Sequence, residues 1–243
     1  MSNADCEIRI GTSGWYYEHW KGRFYPEDLP KNKWLEYYIS KFDTVEINNT
    51  FYHLPQEQTL KHWNEIAPPD FLFTVKASRY ITHIKRLKDI KDSLGLFFDR
   101  VKLLKKHAGP ILYQLPPSFK IDLELLESFL KLLPKKYKSV FEFRNKSWYE
   151  DDTFKLLDDF NTGFCIHDLG GEQTPKKITG KLIYVRFHGA SGPYAGSYTE
   201  SMMRDWAKWI KKNQKNAGAC YVYFNNDSEG HAVANARTLK LYI

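Results

Sequence analysis

Charged and amide side chains stand at or just before the ends of seven short apolar runs. TVEIN carries Glu46 and Asn48, LFTVKA carries Lys76, ILYQLP carries Gln114, and VFEFR carries Glu142 and Arg144. FCIHD follows with His167 and Asp168, IYVRFHG with Arg186 and His188, and YVYFNND with Asn225, Asn226 and Asp227. Carboxylates and imidazoles beside fixed cations are equipment for moving protons on an anionic substrate. The cation holds carboxylate or phosphate, and the acid or base works next to it. Glu142 and Arg144 share one face of a strand about 6.5 Å apart, close enough to act on one ligand.

Groups spread over so much sequence converge only if the strands that carry them end on a common face. Strand patterns fall at 7–11, 44–48, 71–77, 111–116, 139–144, 163–168, 182–188 and 220–226. Helical spacing appears between most of them: Trp34, Leu35, Tyr38, Ile39 and Phe42; Leu60, Trp63 and Ile66; Leu94, Phe97, Phe98, Val101 and Leu104; Leu123, Leu126, Leu130 and Leu133; Phe154, Leu157 and Phe160; Met203, Trp206 and Ile210. AVANARTLKLY closes the chain as a last helix, and Gly109-Pro110 reads as the break before the fourth strand. GGEQTPKKITGK, after the sixth strand, has no helical period, so one outer helix is expected to be reduced or missing. Eight strands in βα alternation predict a single α/β domain, a (β/α)8 TIM-like barrel of parallel strands, with a doubly wound open sheet as the competing architecture.

Strand parity sorts the residues. Phe71, Phe73, Val75, Phe141, Phe143, Ile183, Val185 and Phe187 belong to the helix-facing side. Arg9, Glu46, Asn48, Lys76, Gln114, Glu142, Arg144, His167, Arg186, His188, Tyr223 and Asn225 then point inward. Barrel interiors are filled mainly by Val, Ile and Leu. Here Arg9, Lys76, Arg144 and Arg186 outnumber Glu46 and Glu142 by two, and buried charges need partners. The bland alternative is an internal ion-pair network. The functional one is an oxyanion site, since guanidinium forks suit carboxylate and phosphate.

The 243 residues are 42% hydrophobic, enough for one large core. No apolar run is long enough to span a bilayer and no leader pattern opens the chain, so a cytoplasmic protein without membrane contact is expected. MSNA at 1–4 reads as appended sequence, leaving a domain over 5–243. The cysteines Cys6, Cys165 and Cys220 lack CxxC or zinc-finger spacing and read as buried free thiols. The net charge of +7 favours anionic partners, although KKH (105–107), PKKYK (134–138) and KKNQK (211–215) sit where they complement helix dipoles. No internal repeat or low-complexity tract appears.

The motifs GTSGWYYEHWKGRFYPEDLP (11–30), TVEINNTFYHLP (44–55), FTVKASRYITH (73–83), GPILYQLPPSF (109–119), FEFRNKSW (141–148), VRFHG (185–189) and YFNNDSEGHAVANA (223–236) resemble the YecE-like family, also called domain of unknown function 72, nearly end to end. The resemblance implies a TIM-like barrel and no particular substrate. The family's characteristic residues fall on Trp15, Glu46, Asn48, Lys76, Gln114, Glu142, Arg144, His188, Asn225 and Asn226, largely the set given by parity.

A rival constellation is Glu142, Asp168, His188 and Asp227, similar in order to the Mn or Mg ligands of xylose-isomerase-like barrels. Alternation turns Asp168 outward, and Lys76, Arg144 and Arg186 oppose a divalent cation, so neither metal nor other cofactor is expected. Glycosidase barrels fit poorly, because Gln114 and His188 stand where their carboxylate pair belongs. The aromatic residues of the strand-end loops, Trp15, Tyr16, Tyr17, Trp20, Phe24, Tyr25, Phe51, Tyr52, Trp148 and Tyr149, read mostly as lid packing, with stacking on a ring as the alternative. NNDSEGH offers backbone N–H groups to an anion or plain capping by Asp227 or Ser228.

The resulting expectation is a metal-independent hydrolase or isomerase acting on an anionic, ring-bearing compound such as a phosphorylated sugar, a nucleotide or a nucleic-acid end. Glu142 or Glu46 serves as base and His188 as acid. Lys76, Arg144 and Arg186 hold the anion, and Asn48, Gln114, Trp15, Asn225 and Asn226 complete the binding set. A non-catalytic nucleic-acid-binding barrel is the alternative.

Overall fold

The computed structural model describes residues 6–243, so the reading of residues 1–4 as appended sequence lies outside it. Strands and helices alternate as β1 (Glu7–Thr12), α1 (Trp34–Ile39), β2 (Thr44–Ile47), α2 (Glu57–Ile66), β3 (Leu72–Lys76), α3 (Lys91–Val101), β4 (Ala108–Leu115), α4 (Leu123–Leu130), β5 (Ser139–Phe143), α5 (Asp151–Asp159) and β6 (Gly163–Leu169). A two-residue strand, β7 (Glu172–Gln173), precedes β8 (Leu182–Phe187), α6 (Glu200–Asn213), β9 (Ala219–Phe224) and α7 (His231–Tyr242). The strand order is β1-β9-β8-β6-β5-β4-β3-β2, every one of those pairings parallel. The two ends of that order meet at a parallel bridge between Ser13 and Glu46, where Gly14 N–H donates to Glu46 O at 2.8 Å. That contact makes a nearly closed TIM-like barrel instead of an open doubly wound sheet.

The β1–β2 seam is held by a side chain from α1. The buried Tyr38 hydroxyl accepts from Thr12 N–H (2.9 Å) and donates to Thr44 O (3.1 Å), bridging two backbone groups that a continuous ladder would otherwise pair. Gly11 permits the approach, because a Cβ there would lie 2.3 Å from Thr44 O. Tyr38→Phe leaves those groups without their bridge, and the expected loss is about 1–3 kcal/mol in a denaturant melt. An unchanged midpoint would show that the seam closes without it.

One element departs from the sequence reading. Gly109 and Pro110 lie inside β4 instead of before it. The β3–β4 register shifts between Phe73/Ala108 and Val75/Ile111, so β4 carries one extra residue, and a bulge is a place where a strand admits proline. After β6 the outer helix is missing, as the lack of helical period predicts, and a hairpin strand stands in its place: Asp168 pairs with Gln173 and Leu169 with Glu172, antiparallel, around Gly170 (φ 64°) and Gly171 (φ 85°). Positive φ at both central positions is the hairpin geometry that favours Gly-Gly.

Parity holds on the helix-facing side. Phe71, Phe73, Val75, Phe141, Phe143, Ile183, Val185 and Phe187 are buried in the main core, with Trp148 stacked on Phe143 at 4.5 Å. A second apolar cluster, comprising Leu112, Val140, Cys165, Leu182, Tyr184, Ala219, Tyr221 and Tyr223, fills the barrel below the charged strand ends. The Tyr223 hydroxyl is within 2.7 Å of both Thr44 and Thr74 hydroxyls. Cys165 and Cys220 are buried free thiols, whereas Cys6 is half-buried. Among the described residues no helix is long and apolar enough to cross a membrane.

Candidate functional site

Register sets Gln114 beside Glu142 and His167 beside Arg186, so alternate residues of β2, β4, β5, β6 and β8 form one polar layer. At its centre is Arg186, fully buried. Its Nη2 donates to Glu46 Oε1 at 2.6 Å, and its Nη1 donates to Glu142 Oε2 at 2.5 Å. Glu46 also accepts from the Ser13 hydroxyl at Oε1 (2.6 Å) and from the Tyr184 hydroxyl at Oε2 (2.6 Å). Glu142 Oε1 is in ion-pair contact with Arg144 Nε. Burial alone raises a carboxyl, but Arg144, Arg186 and His188 together hold Glu142 well below the usual range.

His188 completes the cluster. Burial, then the Arg186 charge, push its pKa well below that of an ordinary imidazole, so the ring is neutral. Nε2 lies 2.8 Å from Arg144 Nη2 and 3.3 Å from Arg186 Nη1. Nε2 also lies 3.2 Å from Glu142 Oε1, and Nδ1 lies 3.1 Å from Asn225 Nδ2, an amide nitrogen that can only donate. His167 is also buried, and burial first of all lowers its pKa to about 4. Its Nδ1 has no hydrogen-bond partner and stands 4.0 Å from Glu142 Oε1.

Lys76, the last residue of β3, is partly buried, with Nζ 4.2 Å from the centroid of the Phe51 ring. Among the described residues no carboxylate oxygen lies within 4.0 Å of it, because Glu46 and Glu142 are engaged by the arginines. Burial and the Arg186 charge lower its pKa to about 8. Over β4, β5 and β6 opens a cavity of about 270 Å³. Gln114, Arg144 and His167 lie on it with Tyr149, Tyr194 and the hairpin residue Gln173.

The structure therefore brings together Glu46, Glu142, Arg144, Arg186, His188, Lys76, Gln114 and Asn225. Asn48 stands at the end of β2, its Oδ1 buried without a partner, opening the turn that carries Phe51. Other expectations need correction. Arg9 is at the opposite end of β1, its guanidinium bonded to Glu7 and to the Asp43 and Asp70 carbonyls, so the surplus at the mouth is one cation and not two. Trp15 is buried edge-on against Trp63 of α2 (5.0 Å), which makes it core. Asn226 faces away from the barrel axis and donates to Gly196 O and Asn235 Oδ1, both at 2.9 Å, tying a loop to α7. Asp227 and Ser228 do not cap α7, which starts after Gly230 (φ 77°) without a side-chain cap.

The four residues of the isomerase-like set do not converge. Asp168 accepts from Gly171 N–H (3.2 Å) and Gln173 Nε2 (2.9 Å) in the hairpin, and the Asp227 carboxylate lies 3.7 Å from His19. No group of three His, Cys, Asp or Glu side chains suited to a metal occurs among the described residues. Of the loop aromatics, Trp20, Phe24, Tyr25, Phe51 and Trp148 are buried as packing, whereas Tyr16 and Tyr52 are exposed. Sequence reasoning left out Ser13, Tyr184 and Gln173. Tyr184 was legible, since it precedes Arg186 by two on the same strand face; the Gly-Gly pair was the signal for the hairpin that supplies Gln173.

Comparison with known proteins places this geometry in context. A family described as "Protein of unknown function DUF72" matches residues 9–242. The UPF0759 protein YunF of Bacillus subtilis is 26% identical over 266 residues, covering 96% of this chain and 93% of that one. The UPF0759 protein YecE of Escherichia coli is 32% identical over 116 residues, 47% of this chain and 43% of its own. A crystal structure of a DUF72 family protein from Thermotoga maritima superposes with a TM-score of 0.87 at 32% identity, covering 97% of this chain and 98% of that one.

Proposed function

Because the chain belongs to the DUF72 family, whose description assigns no activity, its function has to be read from its own site, and we propose that it is an enzyme binding a small anionic substrate in the barrel mouth. One observation carries this reading. Glu46 and Glu142 are taken up by Arg186 and Arg144, and among the described residues Lys76 is left without a carboxylate partner, so this set holds one cation more than it neutralises. Arg144 lies on the cavity and is the anchor this arrangement supports, with Arg186 as the buried strut behind it. A volume of about 270 Å³ is just under the usual range of about 300–1,000 Å³ for ligand pockets, which suits a phosphorylated sugar, the phosphate end of a nucleotide, or a nucleic-acid end.

The geometry redistributes the acid–base roles. A carboxylate held as low as Glu142 is a weak base, and His188, neutral and buried beside two guanidinium groups, is poorly placed to take up the proton an acid must deliver. Glu46 is closed off between Arg186, Ser13 and Tyr184. Proton transfer is most effective from a group that titrates near the working pH, and Lys76 is the mouth residue closest to that condition. Isomerisation or another proton-transfer reaction at carbon therefore suits the site better than hydrolysis by a carboxylate base.

Inorganic phosphate, sugar phosphates and nucleotides are expected to raise the melting temperature. At a hundred times Kd the stabilisation is about 2.7 kcal/mol, or about 5–10 °C for a chain of this length. Arg144→Met should abolish the increase while the fold survives; an undiminished shift in that variant would put the anchor elsewhere.

Exposed rings favour a second reading. Tyr16, Tyr52, Tyr80 and Tyr194 are exposed on strand-end loops, and Lys85, Arg86, Lys88 and Lys120 surround a neighbouring hollow. Such a rim suits nucleic acid, whose binding would weaken steeply with salt and ignore Arg144→Met.

A further inference from the structure

Lys76 is the one mouth residue whose placement suits covalent chemistry. It ends β3 facing inward, level with Leu112 of β4, and its Nζ rests on the Phe51 ring instead of in a salt bridge. The other edge of the environment is also uncharged at neutral pH. His83 packs edge-on against the same ring at 4.9 Å, and burial followed by the Lys76 and Arg79 charges lowers its pKa to about 4. Of the fixed charges that act on it, Arg186 and Arg144 oppose the ammonium form and Glu142 and Glu46 favour it; Arg186 acts most strongly, and both carboxylates accept hydrogen bonds from it. An amine so placed loses the usual stabilisation of its protonated form, which is the arrangement that activates a lysine nucleophile.

We infer that Lys76 forms an imine with the carbonyl group of an aldehyde or ketone substrate whose anionic group is held by Arg144. The anionic half of that statement rests on the proposed site; the imine half rests on Lys76 itself. In the step, the amine lone pair forms the C–N bond as the carbonyl π bond breaks, and the nitrogen gives up one of its protons to the oxygen. The C–O bond of the carbinolamine then breaks, and its oxygen leaves as water with a second proton. The sum is amine, carbonyl and one proton giving iminium and water. The iminium draws electrons from a neighbouring C–H or C–C bond, and the Phe51 face at 4.2 Å stabilises its positive charge. Addition of water returns the free amine. With a pKa near 8, about half of Lys76 is free amine at pH 8, against roughly one in 250 for an ordinary lysine.

The test is reductive trapping with glyoxylate, the smallest anionic aldehyde, and borohydride, which delivers hydride to the iminium carbon and fixes the adduct as a secondary amine. Peptide mass spectrometry after labelling at pH 8 should find Lys76 modified at least tenfold faster than any surface lysine, with a labelling midpoint near pH 8. Lys76→Arg, folded by circular dichroism, should lose that fast phase. Labelling spread over surface lysines, with Lys76 no faster than the rest, overturns the inference. The anionic site is judged separately: phosphate should slow the Lys76 reaction at least tenfold. Fast labelling that phosphate leaves unchanged supports the imine and sinks the anion site. Thermal stabilisation by phosphate without fast labelling does the reverse.

Discussion

Arg186→Met is expected to destabilise the fold by about 3–5 kcal/mol, a fall of roughly 6–20 °C in melting temperature for a chain of this size. Arg186 has no exposed surface and separates two carboxylates, giving Nη2 to Glu46 and Nη1 to Glu142. Methionine fills much of the volume but leaves Glu46 with only the Ser13 and Tyr184 hydroxyls. The two acids then face each other across a buried gap with one of their cations gone. Arg186→Lys keeps the charge and loses the planar fork, so it should fall between the two, which makes the series readable even where the methionine variant melts too early to handle. Arg144→Met serves as the contrast. Its guanidinium lies on the cavity, where water can reach Glu142 in its place, so ligand binding should suffer more than stability. If Arg186→Met kept the wild-type melting temperature and lost only the response to phosphate, Arg186 would be the anchor and Arg144 the strut.

Most of this layer was legible because strand periodicity is a local property. Alternation from Phe141 through Phe143 turns Glu142 and Arg144 inward, and alternation from Val185 through Phe187 does the same for Arg186 and His188. What alternation lacks is the depth of a residue along the barrel axis and its partner across it. Arg9 has the inward parity of Lys76, yet it belongs to the far end of β1, among the Asp43 and Asp70 carbonyls. Lys76 and Arg186 look equivalent in sequence, and only the folded register gives both carboxylates to the arginine line and none to the lysine. Gly109-Pro110 misled for another reason. A proline normally interrupts a ladder, and it is tolerated here because β4 bulges where it leaves register with β3. Trp15 and Asn226 came from family resemblance, not parity, and both serve packing and loop anchorage.

Glu142→Gln should separate two roles that the sequence alone leaves tied together. If Glu142 is the counter-ion that the geometry describes, the amide brings an N–H donor against guanidinium donors and removes a negative charge shared by Arg144 and Arg186. The fold should then lose about 3–5 kcal/mol. The same change raises the cationic surplus of the mouth from one to two, so phosphate should bind more tightly. At about 6 Å and an effective dielectric constant near 20, the added attraction is worth up to about 3 kcal/mol, tenfold or more in Kd. Weaker fold and tighter anion is the signature, read by denaturant melts and by calorimetric titration at a temperature where the variant is folded. A general base behaves otherwise: stability and phosphate affinity stay near wild type while turnover, once a substrate is known, falls by about 10² to 10⁴. A variant that is stable, fully active and unchanged toward phosphate would remove Glu142 from both accounts. It would shift the question to Glu46, the other acid that Arg186 holds.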